Sequence, residues 1–154
     1  MTLLVAIDPG ETTGWSFYQD GALVEAGVAV GSPPALPAAV YLELNQNRDC
    51  SEAVIEKPQT YPMSPVDAND LITLGILVGE WKEYLHRHGA DVELALPRTW
   101  KGTVPKDIHH RRVLARLTAE EKTRLPKRPR AKNYDHNMLD AVGLGLWKLG
   151  RTTR

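Results

Sequence analysis

Leu3-Leu4-Val5-Ala6-Ile7-Asp8-Pro9-Gly10-Glu11-Thr12-Thr13-Gly14-Trp15 opens the chain with an unbroken apolar run that ends on a carboxylate. A short continuous run of this kind predicts a strand, Thr2 to Asp8, buried on both faces. Asp-Pro-Gly then turns the chain. A carboxylate just past a buried strand is costly unless something offsets its desolvation. The pattern returns at Ala53-Val54-Ile55-Glu56, and a third acid, Asp140, stands at the start of a C-terminal apolar helix with His136 one turn before it. Two strand-end carboxylates and a third on a helix can converge on Mg²⁺, a hard cation that takes oxygen ligands. Such a cluster can hold two metals for phosphodiester hydrolysis.

Outward from that stretch, Trp15 to Tyr18 and Leu23 to Val30 read as strands joined at Gln19-Asp20-Gly21, where Asp-Gly is a hairpin signal. Ser32 to Pro37 is a Pro-rich break, Ala38 to Gln46 a helix, and Cys50 to Glu56 a strand. A loop carrying Pro58, Pro62 and Pro65 leads to a long amphipathic helix, Asp67 to Arg87, with Ser64 as candidate N-cap and Gly89 as its stop. Val92 to Leu96 is a strand, Pro105 to Leu117 a basic helix, and Thr118-Ala119-Glu120-Glu121 a capping box. Arg124 to Asn133 reads as a basic loop and Asp135 to Leu149 as the last helix. The order β-β-β-α-β-α-β-α-α predicts an α/β fold, a mixed five-stranded sheet flanked by helices.

The length, 154 residues, fits one domain, 1–154, with a real core. A single cysteine, Cys50, excludes an internal disulfide framework and a Cys-based zinc site, and reads as a partly buried small hydrophobe. The N-terminus has neither a signal peptide pattern nor a membrane span, so a cytoplasmic location and no membrane partner are expected. The formal net charge is zero, but Pro97 to Lys132 carries 12 Lys and Arg against 3 Asp and Glu, net +9, and the remainder 7 against 16, net −9. A basic block beside an acidic core suits a polyanion gripped by one face while carboxylates hold metal.

Ala6-Ile7-Asp8-Pro9-Gly10 followed by Thr13-Gly14 resembles the first-strand motif of RuvC-like Holliday junction resolvases, RNase H-like nucleases of bacteria and phages. Val54-Ile55-Glu56 resembles their second acid, and His136-Asn137-Met138-Leu139-Asp140-Ala141 the helix that supplies the last ones. Arg98-Thr99-Trp100-Lys101-Gly102, with Lys106 shortly after, is similar to their lysine segment. The resemblance spans nearly the whole chain in order. It implies an RNase H-like fold, a homodimer, two Mg²⁺ or Mn²⁺ ions per active site, and paired symmetric nicks in four-way DNA junctions.

The resemblance assigns Asp8, Glu56 and Asp140 as metal ligands. Family members usually place an acid or His three residues before the final Asp. Here that place is Asn137, with His136 four before and Asp135 five before; His136 shares a helix face with Asp140. His136 is therefore expected as the fourth active-site group, binding metal or helping deprotonate the attacking water, with Asn137 and Asp135 left open. Lys101 would stabilise charge on the phosphate or contact DNA. Lys106, Arg111 and Arg112 would contact the DNA backbone, and Tyr61 would stack on a base at the junction. His109 and His110 adjoin on the basic helix and are expected at the surface, unable to face one site together. Trp81 and Tyr84 are expected in the core or a dimer interface rather than on bases.

Three rivals remain. Actin-like ATPases and sugar kinases use Asp-x-Gly-x-Thr but need two domains and would leave Glu56 idle. A nuclease of the same fold could act on RNA–DNA hybrid, flap or nicked duplex. A silent DNA-binding scaffold would not need all three acids.

Overall fold

The computed structural model describes residues 1–30, 33, 36–63, 65–127 and 134–152, apart from the side chains of Tyr134 and Asp135. Five strands, β1 (Leu3–Asp8), β2 (Thr12–Gln19), β3 (Ala22–Val30), β4 (Ser51–Glu56) and β5 (Asp91–Ala95), form one sheet in the order β3-β2-β1-β4-β5. β1 pairs antiparallel with β2 and parallel with β4; β2–β3 is antiparallel and β4–β5 parallel. The helices are α1 (Ala38–Gln46), α2 (Ala68–Arg87), α3 (Pro97–Trp100), α4 (Lys106–Arg116), α5 (Ala119–Thr123) and α6 (Tyr134–Lys148). The mixed five-stranded sheet flanked by helices is the predicted architecture. Among the described residues no helix is long and apolar enough to cross a membrane.

Strand parity divides the core. Leu3, Val5 and Ile7 of β1 join Ala53 and Ile55 of β4 under α1 and α2, where Trp81 and Leu85 are fully buried. Leu4 and Ala6 join Val54 and Ala95 on the opposite face, under α4 and α6. Successive side chains alternate across a strand, so Asp8 and Glu56 both fall on the α4/α6 face. They stand one step beyond the register pair Ile7–Ile55. Trp81 lies in the core, as one of its expected places, and Tyr84 packs edge-on against Tyr41 with 4.9 Å between ring centroids.

Local chemistry explains most boundaries. Asp20 and Gly21 both take positive φ, 49° and 78°, as a tight two-residue hairpin turn requires. Thr13 is buried, and its hydroxyl donates to the Gly10 carbonyl (3.1 Å), closing the turn after Asp8. β2 therefore begins at Thr12, three residues earlier than the sequence suggests. The long helix starts at Ala68, capped by Asp67, whose carboxylate accepts from the Asn69 N–H at 2.6 Å. Ser64, the expected cap, lies outside the described residues, as do 128–133 of the basic loop. Thr118 and Glu121 form the expected capping box. Cys50 is exposed rather than partly buried, at the end of a 3₁₀ turn.

The last helix comes unusually close to the sheet. A Cβ on Gly14 would stand 1.8 Å from the Asn137 carbonyl, and one on Gly145 2.3 Å from the Tyr18 ring. These two glycines let α6 lie directly on β2. Ser16 and Tyr18 then donate to the carbonyls of Ala141 (2.9 Å) and Val142 (2.7 Å). This docking sets the height of Asp140 above the strand ends.

Candidate active site

Asp8 and Glu56, carried to neighbouring strand ends by register and to one face by parity, meet Asp140 on the overlying helix α6. The Asp8 carboxyl is held well above the usual carboxylate range, first by loss of water and then by the negative charges of Glu56 and Asp140. Lys101 and Lys106 relieve this only in part. Lys101 Nζ stands 3.1 Å from Glu56 Oε2 and 3.9 Å from Asp140 Oδ2. Its burial works against the charged ammonium, but Glu56, Asp140 and Asp8 outweigh that and raise its pKa. Lys106 Nζ lies 4.0 Å from Asp140 Oδ2 on a half-exposed side chain.

Glu56 is oriented from a segment whose structure the sequence did not reveal. Pro97 opens the short helix α3, as its fixed φ favours. The helix ends on Trp100, whose Nε1–H donates to Glu56 Oε2 at 2.6 Å. The part-buried carboxylate and the buried indole donor thus satisfy one another, and the adjacent Lys101 is placed between the carboxylates.

Asp140 is only 5% exposed. His110 Nε2 lies 2.9 Å from its Oδ1, and His109 Nε2 lies 3.7 Å from the same oxygen. The expectation that these two histidines lie at the surface is corrected here. Both are largely buried, and both approach one carboxylate. Neighbouring residues on a helix diverge by about 100°, and α6 sits in the angle between them. Gly143 makes room, since a Cβ there would stand 3.1 Å from His109 Nε2. His109 packs edge-on against Trp100, with ring centroids 5.1 Å apart, and burial pushes its pKa down to about 4.

His136 stacks on His110 at 5.1 Å between centroids, with the two Nδ1 atoms 3.3 Å apart. A carboxylate only accepts, so His110 carries a proton on Nε2. Contacts thus run from His136 through His110 to Asp140. Asn137 is committed elsewhere, its Nδ2 donating to the Thr12 carbonyl at 2.9 Å. The Asp135 side chain lies outside the described residues.

The candidate DNA contacts differ in setting. Arg111 pairs with Asp107 at 3.2 Å, both well exposed. Arg112 is exposed on α4. Tyr61 is exposed on the loop after β4, with the Arg98 guanidinium 5.8 Å from its ring centroid. Arg124, in the same basic block, is spent internally on the Leu23 carbonyl and Glu120.

The cluster can serve a hard cation. Its carboxylates are oxygen donors, and the charge repulsion that raises the Asp8 pKa is what a divalent ion would relieve. As placed, the carboxylates are joined through Lys101, and among the described residues no three His, Cys, Asp or Glu side chains already form a metal-holding group.

No family model matches the chain, and no curated protein matches it. Its fold is similar to the RuvC of T. thermophilus solved in complex with a Holliday junction substrate: TM-score 0.52, 15% identity, 96% of this chain and 92% of that one. A second Thermus thermophilus RuvC structure aligns over 95% and 92% of the two chains at 15% identity and TM-score 0.49. The chain has the RuvC-type, RNase H-like fold.

Proposed function

We propose that this protein is a metal-dependent endodeoxyribonuclease that binds four-way DNA junctions as a homodimer and resolves them by paired nicks. The observation that carries the proposal is the convergence of Asp8, Glu56 and Asp140, from two strand ends and one helix, into a single charge-coupled cluster beside Lys101. A fold similar to that of a junction-bound RuvC supports the substrate.

Asp8, Glu56 and Asp140 would hold Mg²⁺ or Mn²⁺, two ions per site, with His136 at the cluster's edge. Bound there, the metal would supply Lewis acidity and a water of lowered pKa. The protein's own groups do the rest. Trp100 fixes the rotamer of Glu56. His110 fixes Asp140. Lys101 presents positive charge between the carboxylates, where the phosphate would sit. Lys106 and Arg112 are placed to steer the DNA backbone to it.

The dimer is supported by one face of α2. Ile72 and Ile76 are each 61% exposed one turn apart, Val66 is half exposed just before the helix, and Cβ atoms on Gly75 and Gly79 would meet nothing within 4 Å. Apolar side chains beside glycines allow a second helix to approach closely.

The test is cleavage of a labelled synthetic four-way junction with Mg²⁺, alongside linear duplex, flap and RNA–DNA hybrid, for wild type and Asp8→Asn. Symmetric nicks on the junction alone, lost in the variant, are expected. Cutting of flap or hybrid instead would move the protein to another nuclease of this fold. Junction binding with no cutting of any substrate would make it a scaffold.

A further inference from the structure

Trp100 borders two places. Its N–H is engaged with Glu56, while its ring bounds a separate cleft of about 520 Å³ between α3, α4 and the C-terminal half of α6. Arg98, Arg112 and Arg116 line that cleft together with Trp100, which is 7% exposed, and the half-buried Trp147, and no Asp or Glu is among its lining residues. His109 forms part of the wall, and its buried Nε2 has no hydrogen-bond partner among the described residues. Lys101 lines the cleft and also reaches Glu56 and Asp140. The cleft and the acid cluster therefore share Lys101.

These features select a ligand by elimination. An inorganic anion would use the arginines and leave two indoles without a role. A neutral apolar molecule would use the indoles but strip water from three guanidinium groups without recompense. A flat aromatic ring joined to a phosphate answers both, because every base has a π-face for indole and arginine binds phosphate in a bidentate fork. The volume lies in the range of small-molecule sites.

We propose that this cleft receives one nucleotide of the bound DNA, its base drawn out of the stack against Trp147, beside the nearly buried Trp100, and its phosphate held by Arg112 and Arg116. The inference rests on the DNA-processing function proposed above and deepens it. A base captured in this cleft fixes the register of the bound strand against the active site.

Intrinsic tryptophan emission tests this in metal-free buffer. Trp15 and Trp81 are buried on the far face of the sheet, so changes report Trp100 and Trp147. The probes are the four deoxynucleoside 5′-monophosphates, deoxyribose 5-phosphate and inorganic phosphate. Saturable quenching by the nucleotides is expected, with binding about tenfold or more weaker for deoxyribose phosphate, as loss of base stacking implies. Arg112→Ala, at an exposed position, should weaken nucleotide binding while leaving the melting curve unchanged. Equal response to inorganic phosphate would reduce the cleft to an anion patch and overturn the proposal, as would no saturable response to any probe. Junction binding by the same proteins separates the two ideas. Junction bound but nucleotide not bound defeats the cleft alone. Nucleotide bound but junction neither bound nor cut defeats the DNA function and, with it, the register-setting role.

Discussion

Glu121 and Asp8 are both carboxylates inside the fold, and their surroundings treat them oppositely. Glu121 is 3% exposed and accepts from the N–H groups of Leu23 (2.9 Å) and Thr118 (2.8 Å) and from both Nη atoms of Arg151 (2.6 and 2.8 Å). The Arg151 hydrogen bonds, foremost, hold its pKa down to about 2. The group latches α5 and the end of α6 to the β2–β3 hairpin. Asp8 instead faces Glu56 and Asp140, and its pKa is pushed up. The first site is satisfied by the protein itself and serves stability. The second is left short of positive charge, which is what the proposed cation site would require.

The largest effect expected is at the unsatisfied site. Asp8→Asn should cut junction cleavage by more than about a hundredfold, beyond what loss of an outer partner of a metal ligand costs, while gel-shift binding is kept. Because the charge is unfavourable in the fold, the same variant should melt higher without metal. Mg²⁺ should raise the wild-type melting temperature and not the variant's. An Asp8→Asn protein that still cuts would break the contrast.

Next comes the satisfied site. Glu121→Gln leaves Arg151 and two amides without their anion, and unfolding in denaturant should show a loss of about 3 kcal/mol. Cleavage per folded molecule should be unchanged. A loss of activity without loss of stability would place Glu121 in the wrong class.

His110→Gln sharpens the comparison, because His110 supports an acid of the unsatisfied cluster. Cleavage should fall roughly 10- to 100-fold, with an unfolding curve close to wild type. An unchanged rate would remove that contact from function.

The smallest effects are in pH dependence. Glu121, with a folded pKa near 2 against an ordinary 4.5, adds stability above 4.5 that disappears as pH falls toward 2. Asp8 works in the other direction. Its folded pKa lies above the ordinary 3.8, so stability falls as pH rises from 3.8 through the folded value. Unfolding free energies of metal-free protein across this range should show the acid limb flattened by Glu121→Gln and the upper decline flattened by Asp8→Asn.

Much of this was readable from residue order. The unbroken run Leu3–Ile7 announced a strand covered on both faces, the Asp20-Gly21 pair announced its hairpin, and the Thr118–Glu121 spacing announced a cap. Each depends on residues within a few positions of one another, where backbone preference and hydrophobic period act directly. Alternation along β1 and β4 also decided that Asp8 and Glu56 face one way.

What tertiary structure alone decided is how those acids are held. Trp100 reaches Glu56 across 44 residues, His110 reaches Asp140 across 30, Glu121 reaches Leu23 across 98, and Asn137 reaches Thr12 across 125. Two adjacent histidines converge on one carboxylate because α6 lies in the angle between them, close against β2 where Gly14 and Gly145 let it approach. Local periodicity carries no information about that separation or angle; they come from packing two helices on one face of a sheet.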